Sequence, residues 1–87
     1  MCTYTTVNTQ VKGSAKGPQG EWFNVSQATV YFDHPVHAMA GHTLNIDLRN
    51  EAGGPSSRVA MELTAASAEA LVEAIQSALA VVPDGLK

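Results

Sequence analysis

Three histidines, His34, His37 and His42, are the only ones in a chain of 87 residues, and they fall within nine positions of one another. A neutral imidazole offers a lone pair to a metal ion or takes up a proton as a general base. Three imidazoles on one ion leave a fourth coordination position for water or substrate, as at a catalytic zinc. With no thiolate among them they suit zinc, iron, copper or nickel rather than magnesium or calcium. The first expectation is therefore a divalent transition metal held by His34, His37 and His42, with Cys2 and Asp33 as candidates for further ligands. Asp33, Asp47 and Glu21 are also candidates to accept a hydrogen bond from a ring N–H. Such a metal would act as a Lewis acid or lower the pKa of a bound water.

The same residues support plainer readings. A histidine at a hairpin tip often serves only as a polar turn residue, and the H-x2-H-x4-H spacing is no established signature. A metal-free enzyme would use His34 or His42 as general base and needs a carboxylate or carbonyl to orient the ring. A third reading is a non-catalytic homodimeric module that binds a small ligand or a protein. Cys2 fits a minor core thiol as well as a ligand. The stretch Gly13 to Gly20 holds three glycines and one lysine, but not in the GxxxxGK[ST] order of a phosphate cradle. Tyr31, Asp47 and Arg49 are suited either to a polar site on an open sheet face or to ordinary cross-strand pairing. No serine sits in a recognisable nucleophile elbow, and no carboxylate pair has a spacing that suggests glycosidase chemistry.

The histidines matter only if the elements around them bring the rings together. Residues 3–12 are rich in β-branched side chains alternating with polar ones and are expected to form a strand. Residues 13–20 carry three glycines and a proline in eight positions and are expected to form a loop. Residues 25–34 alternate again, with Ala28, Val30, Phe32 and His34 on one face and Gln27, Thr29, Tyr31 and Asp33 on the other. Pro35 biases His34 toward extended geometry and ends or bends the strand. From His42 to Asn50 the alternation is cleanest, with Leu44, Ile46 and Leu48 opposed to Thr43, Asn45, Asp47 and Arg49. If 35–41 is the turn, His34 and His42 face the same way on adjacent strands, where opposed Cβ atoms lie about 5 Å apart. His37 joins them only if the chain folds back.

Residues 51–57 read as a second turn and 58–63 as a fourth strand with Val59, Met61 and Leu63 inward. Thr64 then has the chemistry of an N-cap for the amide of Ser67, and Leu63 can pack on Ala68 as a staple. Ala68, Leu71, Val72, Ile75, Leu79 and Val82 recur at helical spacing, and Pro83 with Gly85 stops the helix. The expected fold is α+β: one domain over 1–87, with a four-stranded, mostly antiparallel sheet and one C-terminal helix packed on one face. One helix is thin cover for Trp22, Phe23 and Met39 as well, so a homodimer is expected.

Composition narrows the function classes. Five basic residues are scattered through a chain of net charge −3, which argues against a nucleic-acid role based on phosphate neutralisation. Apolar runs fall short of the ~20 residues that cross a bilayer, and the first residues lack the charged-then-apolar pattern of a signal peptide. A single cysteine forbids an internal disulfide and suits a reducing compartment. The cytoplasm is the expected location.

Taken together, the start Met1-Cys2-Thr3-Tyr4-Thr5-Thr6, the segment Asp33-His34-Pro35-Val36-His37 and the segment from His42 to Asp47 resemble a family of small, uncharacterised actinobacterial proteins. The likeness covers most of the chain. It implies no activity, cofactor or substrate.

Overall fold

The computed structural model describes residues 5–54 and 56–87. Four strands, β1 (Thr6–Lys16), β2 (Trp22–Asp33), β3 (Thr43–Arg49) and β4 (Arg58–Leu63), are followed by one helix, α1 (Ala65–Ala80), and a 3-10 turn at Asp84–Leu86. The strands form one antiparallel sheet in the order β1-β2-β3-β4. Each connection is a hairpin, so chain order and spatial order coincide.

The register converts alternation into two faces. Val30, Ile46 and Met61 stand in one cross-strand row, and Phe32, Leu44 and Leu63 in another. The intervening rows are polar: Tyr31, Asn45 and Glu62, then Thr29, Asp47 and Ala60. Because side chains alternate along each strand, the apolar rows lie on one face and the polar rows on the other.

The helix begins where its cap was expected. Thr64 is extended, its Oγ1 accepts from the Ser67 amide at 3.2 Å, and its carbonyl accepts from Ala68 N at 2.9 Å. The helix ends at Val81, just before Pro83, which cannot continue it. α1 packs over the apolar face, meeting the sheet at β3 and β4.

The first hairpin departs from expectation. The glycine-rich stretch 13–20 is not all loop, since β1 runs on to Lys16 and β2 starts at Trp22. A register shift between Gln10 and Gly13 absorbs an extra residue, after which Ser14, Ala15 and Lys16 pair with Asn24, Phe23 and Trp22. Only five residues remain for the turn. Gly17 N donates to Glu21 O at 2.8 Å and Gly20 N to Gly17 O at 3.0 Å, with Gly20 at φ 81°. That positive φ is one an L side chain rarely adopts, which is why the turn closes on a glycine. Lys16 lies 5.6 Å above the ring of the exposed Trp22, a cation–π contact at the tip of the hairpin.

Candidate functional site

The histidines occupy the connection from β2 to β3. His34 follows directly on β2, and its amide donates to Asp33 Oδ1 at 2.7 Å. His42 directly precedes β3. The strand parity expected of these two holds: their rings are 4.4 Å apart between centroids and tilted by 30°. His42 in turn stacks on Phe32, at 5.7 Å and 10°. Phe32, His42 and His34 therefore form one continuous stack at the end of the sheet. His34 Nδ1 lies 2.8 Å from the carbonyl oxygen of Gly41. A carbonyl oxygen only accepts, so the proton sits on Nδ1, and the neutral ring carries its lone pair on Nε2.

His37 goes elsewhere, and the reason lies on β4. Glu62 points out of the polar face and accepts the consecutive amides of Val36, His37 and Ala38, the last two at 3.0 and 2.8 Å to Oε1. To reach Glu62 the loop must cross the polar face of β3, which lies between β2 and β4. Consistent with that path, Thr43 is fully buried and Asn45 nearly so, with Thr43 Oγ1 donating to Asn45 Oδ1 at 2.7 Å. The three amides, those of Val36 and Ala38 first, hold the Glu62 carboxyl below its ordinary value of 4.5.

Beside this crossing lies a cleft of 510 Å³ on the polar face. Tyr31, His37, Asn45, Asp47, Arg58 and Glu62 contribute its polar side chains, with His34, Val36 and Ala38 at the loop side. Arg58, half exposed, reaches across from β4 to Asp47 Oδ1 at 3.0 Å. Cleft volumes of roughly 300–1,000 Å³ are those of small-molecule sites.

The residues singled out in the sequence are thus divided. His34 and His42 come together in a stack, while His37 lines the cleft. Asp33 holds the His34 amide through one oxygen. Glu21 sits in the turn at the far end of β2. Tyr31 and Asp47 line the cleft as an open-face site would require, whereas Arg49 turns to its register partner Gln27, donating to Oε1 at 3.1 Å. Cys2 lies outside the described residues. Among the described residues no group of three or more His, Cys, Asp or Glu side chains is gathered as a metal ion would require. No helix among them is long and apolar enough to cross a membrane. Glu62 was not foreseen. The available signal was its parity, which puts a carboxylate on the polar face opposite Asn45.

The model of a family of unknown function, DUF6295, matches residues 1–87. No curated protein and no solved structure shows a significant match to the chain.

Proposed function

For this chain, which belongs to the DUF6295 family, we propose a binding module that takes a small polar molecule into the cleft between the 34–42 loop and the polar face of the sheet. The observation that carries the reading is the cleft itself: 510 Å³, lined by residues with phenol, amide, imidazole and guanidinium groups. The carboxylates there are already engaged, Asp47 by Arg58 and Glu62 by three amides. The amides that hold Glu62 below its ordinary pKa also make it a weaker base than a free carboxylate. The hollow carries both donor and acceptor groups, and its charged side chains are of both signs, which suits an uncharged or zwitterionic ligand. Titrating the ¹⁵N-labelled protein with amino acids, nucleosides and monosaccharides tests this. At least one class should shift the amides of Tyr31, Asn45, Asp47 and Glu62 together, and Arg58→Ala should abolish the response. If no compound moves these amides, or Arg58→Ala responds unchanged, the reading fails.

A second reading has its own support. The Gly41 carbonyl accepts from His34 Nδ1, so Nε2 is the nitrogen His34 would offer to a metal, with the His42 ring beside it. Two imidazoles fill two of the four positions of a zinc ion. On this reading protein purified without chelator carries zinc, iron, copper or nickel in fixed ratio to chain. A metal-free elemental analysis, with no change in either histidine's ring resonances on adding zinc, would exclude it.

A further inference from the structure

The face opposite the cleft poses a different problem. The helical stripe from Ala68 to Val82 is aimed at the sheet, yet α1 buries none of its residues. Val72, Ile75 and Leu79 each remain more than half exposed, at 53%, 51% and 53%. Between helix and sheet runs an apolar groove of 310 Å³, with Val30, Ile46 and Leu63 on the sheet side and Leu71, Val72 and Ile75 on the helix side. From Ala74 to Pro83 the chain carries no charged residue at all. Among the described residues only two hydrophobic side chains are buried, Val25 and Ala28. Burial of apolar surface is the main driving force of folding, and here Val30, Phe32, Leu44, Ile46 and Leu63 are only partly covered.

Surface area indicates how much is missing. The chain exposes 6445 Å², whereas a folded monomer of 9.1 kDa exposes about 4,900 Å², a surplus of about 1,500 Å². Leaving residues 1–4 out of both sides, at the ~160 Å² per residue of an unfolded chain, keeps the surplus near ~1,000 Å². A standard interface buries about 800 Å² per partner, and obligate homodimers, which are the more apolar class, bury roughly 2,000–5,000 Å² in total. Twice the surplus falls in that obligate range.

We infer that this face is the interface of a two-fold homodimer in which α1 of each chain fills the groove between helix and sheet of the other. A second copy is the occupant that the area favours. A chain whose core is this small gains most by covering its remaining apolar face, and another copy is present wherever the chain is made. The patch is also self-complementary. It offers a ridge, the Leu71–Ile75–Leu79 edge of α1, and a groove of apolar lining beside it, so one copy's ridge meets the other's groove as an isologous contact requires. The interface lies on the opposite side of the sheet from the cleft, so it stands or falls independently of ligand binding there.

The test uses the unmodified chain. Sedimentation equilibrium should give twice the 9.1 kDa chain mass, and the thermal midpoint should rise with protein concentration, as mass action demands of a coupled dimer. In a sample mixed from isotopically labelled and unlabelled chains, intermolecular NOEs should connect the methyls of Leu71, Ile75 and Leu79 with those of Val30, Ile46 and Leu63. A folded monomer with a concentration-independent midpoint overturns the proposal. So does a dimer whose intermolecular NOEs map to the polar face or to the outer edge of β1.

Discussion

Replacing Glu62 by alanine is expected to detach the 34–42 loop from the sheet while leaving the strands in register. Three consecutive amides, of Val36, His37 and Ala38, donate to this one carboxylate from 24 to 26 positions away in sequence. A single truncation therefore removes all three anchors at once, and nothing in the local sequence of the loop replaces them. Hydrogen exchange at these amides should rise to the rate of an unprotected loop, while amides in the middle of β2 and β3 keep their protection. Thr43 and Asn45, buried beneath the crossing, should become accessible to water, and the cleft should lose its loop side. If the three amides remain protected in the alanine variant, Glu62 is not what holds the loop.

The same clamp sets a pH dependence with a definite sign. The folded pKa of Glu62 is depressed below 4.5 by the amides it accepts. A depressed carboxyl contributes stability above its unfolded pKa and loses that contribution as pH falls through the folded value. The clamp is thus intact at neutral pH and fails only below 4.5. The carboxyl-carbon resonance of Glu62 followed with pH should show a midpoint under 4.5, and the amides of Val36, His37 and Ala38 should lose their protection from exchange over the same range. A midpoint above 4.5 would reverse the assignment.

Glu62 also marks the limit of what sequence alone conveys here. His34 and His42 could be brought together from their parity, because both end on the same face of neighbouring strands and a pleat of period two leaves them nowhere else to go. His37 could not be placed that way. Its position depends on the path of an irregular loop, and that path is set by a carboxylate on a strand that comes later in the chain. The helix and its Thr64 cap were legible for the opposite reason: every contact that defines them lies within four residues. Tyr31 and Asp47 were identifiable as outward-facing. Arg49 shares that face, but the register puts Gln27 directly across from it, and a cross-strand partner one hydrogen bond away takes the side chain first. Periodicity likewise tells which side of α1 is apolar, yet it carries no information about what covers that side.

Gly17→Ala is expected to destabilise the protein by about 1–3 kcal/mol, the usual cost of forcing an extra carbon into a filled space. A Cβ at this position would stand 2.8 Å from the backbone oxygen of Ser56, closer than a carbon and an oxygen approach without displacement. Ser56 belongs to the β3–β4 connection, so the clash is between two turns, and relieving it means moving backbone rather than rotating a side chain. The Phe23 ring at 3.5 Å closes another direction of retreat. Glycine-to-alanine exchange also restricts the unfolded chain, a gain of about 0.4–1 kcal/mol where the native backbone accepts it. That gain is smaller than the clash, so the net sign is destabilising. Gly13 in the same hairpin separates the two effects, since a Cβ there meets nothing within 4 Å. Gly13→Ala should be neutral or slightly stabilising, and the two variants measured by urea unfolding at one protein concentration should differ by more than 1 kcal/mol. Equal midpoints would mean that the turns do not press on each other. The first hairpin would then owe its position to its ladder with β3 alone.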